Sequence, residues 1–306
     1  MPACPLLEEG EHGYMIERGP RGLGIILYVN VGNVETSYPK QAVLVVFFCS
    51  MLVVFFTLNV YPVPSTFAAT VTNNTNIVLV HGIWSDGSIW SKVIPILQDA
   101  GHRVTAAQLS LRSLGDDIAT VNRAIEELGR PTILVGHSYG GVVITNAGYN
   151  NPNVTGLVYI AALAPDKGES TIDLFEILPQ PENILQMFTN NIITDSAGFS
   201  YFNPDKFGEW FAHDVRPDEA NVLAAVQKLT NESITTEKSG PPTWKQLPTW
   251  YQVSENDRVI PPNIQRLYAE RMNATILSLN SSHMSPVSQP EEIAELIINA
   301  TKGSTK

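Results

Sequence analysis

The segment Thr132–Val142, TILVGHSYGGV, constrains this chain most. A short apolar run enters Gly136-His-Ser-Tyr-Gly140 with Gly141 behind it, and small apolar residues continue to Ala147. The run reads as a buried parallel strand. Tyr139 to Ala147 reads as a helix of small residues. A serine caught between the two lies in a sharp turn with strained backbone, and the flanking glycines remove the Cβ clashes that would forbid it. Ser138 Oγ would then stand at the carboxyl edge of a sheet, with the Tyr139 N–H opening the helix beside it. Three specified positions also recur by chance. The strand before and the helix after are what make Ser138 a candidate nucleophile.

The rest of the pattern supplies the sheet. Strands are expected at Asn76-IVLV, Arg103-VTAAQL, Thr132-ILV, Val154 to Ala164, Thr249-WYQV and Ala274-TILSL. Helical spacing runs over Ile89–Ala100, Leu114–Leu128, Pro262–Met272 and Pro290–Ala300, with Gly101 and Gly129 as stops. Alternating strand and helix with short connections imply an α/β fold, a mostly parallel doubly wound sheet with helices on both faces. The alternation breaks from about 166 to 246, a stretch with prolines, helical pieces and scattered aromatics (Phe175, Phe188, Phe199, Tyr201, Phe202, Phe207, Trp210, Phe211). An irregular insertion between regular units reads as a helical cap. Most of its aromatics should form its own small core, and about a third should face a pocket.

Before this domain, which we place at 69–306, lies a leader. Ala42 to Val60 is nineteen residues without a charge, Lys40 precedes it, and no Lys or Arg follows until Lys92. Charge on one side favours that side staying cytoplasmic and the remainder being exported. Thr66-Phe67-Ala68 fits a small-x-small cleavage pattern. The preferred reading is a cleaved signal peptide, and the alternative is an uncleaved anchor long enough to span a bilayer. Both make the protein exported, either secreted or anchored to the outer face of the membrane. The leader is long, so the start could also lie downstream, for instance at Met15. Six N-x-S/T sequons suit export but carry little weight in an Asn- and Thr-rich chain.

Net charge is −11, which argues against a nucleic-acid partner, because phosphate binding needs clustered Lys and Arg. Both cysteines, Cys4 and Cys49, lie in the leader. The domain therefore has no thiol nucleophile, disulfide or thiolate metal site. No His/Asp/Glu cluster with ligand spacing appears either, so neither metal nor cofactor is expected.

A serine hydroxyl needs a base within hydrogen-bond reach. Of six histidines, His12 lies in the leader, His102 at a helix end and His213 in the cap. His81 and His137 each precede a glycine-bearing turn and read as backbone-shaping residues. His283, in the polar loop Leu279-NSSHMSP after the last strand, is the candidate base, in the order nucleophile, acid, histidine. The carboxylate that orients it is read as Asp257 in Ser254-ENDRVIPP, with Glu255 and Asp166 as rivals. Two preorganised amides are needed for a tetrahedral oxyanion. They are expected at Tyr139 and at Ile83, in the turn Val80-HGIW-Ser85.

These residues together resemble the α/β-hydrolase superfamily over about Asn76 to Ala300. LVHGIW, LVGHSYGGVV, LVYIAALAPD and SHMSPVSQPEEIAELI are similar to one esterase branch, which includes plant methylesterases, hydroxynitrile lyases, and bacterial salicylate- and pyrethroid-type esterases. The resemblance implies a cofactor-free serine hydrolase. Ser138, Asp257 and His283 would be its triad, Ile83 and Tyr139 its oxyanion donors, and a small-molecule ester its substrate under the cap. Hydroxynitrile lyases of the branch tend to carry threonine where this chain has Gly82 and lysine where it has Met284. Both departures point to ester hydrolysis. Related chemistry on another bond (lactone, carbon–carbon, thioester, perhydrolysis) and a non-catalytic ligand-binding member are the alternatives.

Overall fold

The structure, a computed structural model, describes residues 15–19, 22–26, 75–129, 131–177 and 182–304. The chain divides into two compact units, residues 1–68 and 69–306. In the first, β1 (Met15–Gly19) pairs antiparallel with β2 (Gly22–Ile26). The apolar run 42–60 and the small-x-small site at 66–68 lie outside the described residues. Among the described residues, no helix is long and apolar enough to cross a membrane.

The second unit begins with β3 (Asn76–Val80), β4 (Val104–Ala107), β5 (Thr132–His137) and β6 (Val154–Ile160). Next come β7 (Ile192–Thr194), β8 (Phe199–Phe202) and β9 (Thr230–Asn231), a small antiparallel sheet of their own. Finally β10 (Thr249–Ser254) and β11 (Thr275–Leu279) rejoin the first sheet, whose order is β11-β10-β6-β5-β3-β4 with every pairing parallel. Central strands are apolar on both faces, and Ile77, Leu79, Ile133, Val135, Leu157 and Val158 are all buried. The edge strand β11 is the contrast. Its Ile276 is 45% exposed.

Two boundaries differ from the sequence reading by four residues, each for a local reason. The helix expected over Ile89–Ala100 is a 3-10 turn, Gly87–Trp90, followed by a helix over Val93–Asp99. Pro95 lacks an N–H and clashes with the carbonyl four residues back, so it is tolerated only in a first turn. The strand expected over Val154–Ala164 ends at Ile160, because Ala161 turns the chain with φ 43°. The buried tail then wraps over the serine turn, where Leu163 N–H donates to Ser138 O at 3.1 Å.

Between β6 and β10 the described chain adds no strand to the main sheet. It contains helices Thr171–Glu176, Glu182–Asn191, Pro204–Phe211 and Pro217–Ala225 together with the β7–β9 sheet. That small sheet is a departure from a purely helical insertion. Phe202, Phe207 and Phe211 pack as a buried cluster, with Phe211 4.9 Å from each of the other two ring centroids.

The helix after β5, Gly140–Ala147, is seated directly on the end of β3. A Cβ on Gly140 would lie 2.5 Å from Val80 O and 2.8 Å from His81 O. Both are backbone atoms that cannot swing aside. Gly140→Ala should therefore cost about 2–4 kcal/mol, read as a lowered urea midpoint. A wild-type midpoint would contradict this seating.

Candidate active site

Ser138 lies on the turn out of β5 with φ 55°. Non-glycine residues adopt this left-handed backbone only when their surroundings hold them there. Here Ser138 N–H donates to Ile160 O at 3.2 Å, and Ser138 O accepts from Gly141 at 3.0 Å. The fencing glycines have a steric origin. A Cβ on Gly136 would stand 2.6 Å from the Gly140 carbonyl, and one on Gly141 2.2 Å from Leu163 O.

His283 follows β11 and is buried. Its Nδ1 lies 2.7 Å from Asp257 Oδ2. Asp257 follows β10 and accepts three more hydrogen bonds. Val259 N–H (2.7 Å) and Ile260 N–H (2.9 Å) reach Oδ1, and Gln265 Nε2 reaches Oδ2 at 2.8 Å. A carboxylate that only accepts fixes the proton of His283 on Nδ1, which leaves Nε2 as a proton acceptor. The two rival acids are engaged elsewhere. Glu255 pairs with Arg266, and Asp166 with Lys245 at the surface.

The other two buried histidines brace backbone. His137 Nε2–H donates to His283 O at 2.9 Å, and the two rings lie 4.8 Å apart, so the serine turn and the histidine loop are fastened together. His81 Nε2 accepts from Leu109 N–H at 3.0 Å, while its Nδ1–H donates to Gly82 O at 2.8 Å. Burial lowers the His81 pKa from 6.5 to about 4, and burial also holds His137 well below its ordinary value. In the unfolded chain both would protonate near 6.5. The unfolded state therefore binds more protons as the pH falls from there. This contribution to stability is intact above 6.5 and is lost on descending toward 4, about 3 kcal/mol for His81. Between about pH 7 and pH 4.5, unfolding of the wild type should lose roughly that much more than His81→Asn loses. Parallel losses in urea titrations would contradict it.

The turn after β3 approaches the serine closely, since a Cβ on Gly82 would lie 2.7 Å from Ser138 Cβ. On this turn the Ile83 N–H has no acceptor among the described residues, and neither has the Tyr139 N–H. Their neighbours do have acceptors: Trp84 N–H donates to Thr230 Oγ1 at 3.2 Å, and Ser138 N–H to Ile160 O. Two unengaged donors thus flank the serine. The Tyr139 hydroxyl is anchored on the buried Asp117 at 3.2 Å.

A pocket of about 40 Å³ touches Ile83, Ser138, Tyr139, Leu163, Val259 and Ile260. A larger cavity, about 300 Å³, lies beside it against Ile172, Ile192, Ser200, Glu232 and Thr235. Ile83, Trp84, Thr171, Phe175 and Phe188 border both. Phe175, Phe188 and Phe211 are thus the pocket-facing members of the aromatic set, against the Phe202–Phe207 core. Sequence reasoning missed Gln265, Thr171 and Leu163. Gln265 and Thr171 lie within elements whose local pattern marks neither, and Leu163 falls in the run expected as strand.

Comparison with known proteins places residues 77–296 under the model of an alpha/beta hydrolase family. Methylesterase 2 of Arabidopsis thaliana is 26% identical over 246 residues, 72% of this chain and 94% of that protein. The pyrethroid hydrolase of Sphingobium wenxiniae is 27% identical over 243 residues, 73% of this chain and 86% of its own length. Among solved structures, that of a pyrethroid hydrolase superposes with a TM-score of 0.64 at 22% identity, covering 76% of this chain and 99% of the other. At that identity the likeness establishes the fold.

Proposed function

The chain belongs to the alpha/beta hydrolase family, and on that premise we propose that it is a serine carboxylesterase acting on small or medium apolar esters. The observation that carries the reading is the Asp257–His283 hydrogen bond, which leaves Nε2 as an acceptor in a loop fastened to the serine turn. Relatives named as a methylesterase and a pyrethroid hydrolase support ester hydrolysis as the reaction class.

In this reading His283 Nε2 takes the Ser138 proton while Oγ attacks the ester carbonyl. The oxyanion settles on the Ile83 and Tyr139 amides, donors that the resting fold leaves unengaged. Asp257 stabilises the imidazolium, which then protonates the departing alcohol. Water activated by the same imidazole releases the acid and restores the serine. The acyl or alcohol group occupies the phenylalanine-lined cavity, whose walls favour apolar substituents. Met284, buried and uncharged directly after His283, supports hydrolysis over cyanohydrin cleavage, because it offers no cation to a leaving cyanide.

A chain-length series of p-nitrophenyl esters tests this on the purified protein. Turnover that peaks at short or medium acyl chains is the expected profile. A folded protein that turns over none of them would move the assignment to another bond or to ligand binding.

The N-terminal pattern supports the further proposal that residues 1–68 form a leader and that the domain is exported, with membrane association through the 42–60 run wherever the leader is retained. Fractionation of the native host checks it: an unprocessed chain in the cytosol would sink the proposal.

A further inference from the structure

The peptide plane that carries the Ile83 amide is held at its carbonyl, and the plane after it is held by a different part of the fold. The first plane's carbonyl is Gly82 O, which accepts from His81 Nδ1–H at 2.8 Å and from the Ser85 hydroxyl at 3.0 Å. In a trans peptide the carbonyl and the next N–H point in opposite directions. Fixing Gly82 O therefore aims the Ile83 N–H.

The next peptide plane ends at Trp84. Its φ of 53° is left-handed, a conformation that costs a bulky residue about 1–3 kcal/mol. Two hydrogen bonds that cross into the insertion hold it there. Trp84 N–H donates to Thr230 Oγ1 at 3.2 Å, and the indole N–H donates to Ser200 Oγ at 3.3 Å. Both acceptors are buried hydroxyls with donations of their own, Ser200 to Thr230 O at 3.3 Å and Thr230 to Lys228 O at 3.4 Å. The indole also packs on Phe202 and Phe211, with ring centroids 5.8 and 6.1 Å away. The strand that supplies Thr230 is itself tied to the main domain: Asn231 N–H donates to Leu111 O at 2.8 Å, and the Lys228 ammonium to Leu109 O.

We propose that Thr230 and Ser200 are positioning residues for the oxyanion hole, so that the insertion contributes to transition-state stabilisation as well as covering the pocket. The proposal deepens the esterase reading and rests on it. Without these two acceptors Trp84 relaxes out of its left-handed conformation. The rotation passes back through Ile83 to the Gly82–Ile83 plane, where it pulls against the two bonds on Gly82 O and carries the Ile83 N–H off the oxyanion. Ground-state binding barely uses that amide, so the loss falls on kcat rather than KM.

The test compares wild type, Thr230→Val, Thr230→Ser and Ser200→Ala in ester hydrolysis and in binding two probes. One is an alkyl trifluoromethyl ketone: its carbonyl carbon takes Ser138 Oγ, the serine proton passes to His283, and the carbonyl oxygen becomes an oxyanion. The other is an unreactive amide of similar shape. In Thr230→Val, kcat and ketone affinity should fall together by about tenfold or more, with KM and amide affinity within about twofold. Thr230→Ser should recover most of both, and Ser200→Ala should lower kcat and ketone affinity together at smaller size, by more than it changes amide affinity, since Ser200 also borders the cavity. If Thr230→Val does not fold, Ser200→Ala carries the test, and wild-type kcat and ketone affinity in it overturn the proposal. The proposal is overturned if folded Thr230→Val keeps wild-type kcat and ketone affinity, or if KM and amide affinity change instead. It is also overturned if the serine variant is no better than valine. A wild type that neither hydrolyses esters nor binds the ketone removes the esterase reading itself, a separate result.

Discussion

Asp257→Asn should lower kcat for ester hydrolysis about ten-thousandfold, with KM changed little. Oδ1 accepts from two backbone amides, Val259 and Ile260, which no side-chain rearrangement can remove. The asparagine oxygen must therefore occupy that place, and its NH₂ takes the place of Oδ2. There it meets Gln265 Nε2 and His283 Nδ1–H, which both donate to that site in the native protein. Donor faces donor, and the economical relief is for His283 to move its proton to Nε2. A ring protonated on Nε2 cannot accept from serine. Steady-state kinetics on a p-nitrophenyl ester checks this, with circular dichroism to verify the fold. A loss below about tenfold would mean that the His283 tautomer does not depend on this carboxylate.

Ser138→Ala should cost at least as much, about 10⁴-fold or more in kcat/KM, because it removes the atom that becomes acylated. The alanine inherits a φ of 55°, so relaxation of the turn is the competing explanation for any loss. Two measurements separate the causes. An unreactive substrate-shaped amide should bind the variant about as well as wild type, since the lining of Phe175, Phe188 and Phe211 is untouched. Residual turnover above the uncatalysed rate should persist, since the Ile83 and Tyr139 amides remain. Turnover near the wild-type rate would take the nucleophile away from Ser138.

How much the sequence discloses depends on whether a feature is specified locally. The helix Leu114–Leu128 is legible to the residue, because Ser113 caps one end by accepting from Asp116 N–H and Gly129, at φ 76°, closes the other. The strand, glycine-fenced serine and helix are legible for the same reason, since close backbone approach admits only glycine at 136, 140 and 141. The end of β6 is not. Ala161 adopts its left-handed backbone because the chain must wrap over the serine turn, a tertiary demand with no mark in AALAP. The strands β7, β8 and β9, of three, four and two residues, are too short to show a period.

The candidate site divides the same way. Ser138, Asp257 and His283 are expected from chain order and loop position, and the geometry brings Asp257 onto His283. Which of three nearby carboxylates fills that place is a question of contact. Arg266 engages Glu255, and Lys245 engages Asp166. Gln265, Thr230 and Ser200 make hydrogen bonds to residues 8, 146 and 116 positions away, two of these across the fold, so local pattern cannot reveal them.

The central claim is that Ser138 forms a covalent acyl-enzyme, and covalent labelling tests it most directly. The protein would be inactivated with a p-nitrophenyl alkylphosphonate, which loses p-nitrophenolate as the attacked phosphorus bonds to the nucleophile. The adduct would then be mapped by tandem mass spectrometry. The account predicts one equivalent of p-nitrophenolate per active protein, loss of ester hydrolysis in step with labelling, and the phosphonyl group on Ser138. A label on another residue that tracks the loss of activity would contradict it, as would full labelling of Ser138 with hydrolysis intact.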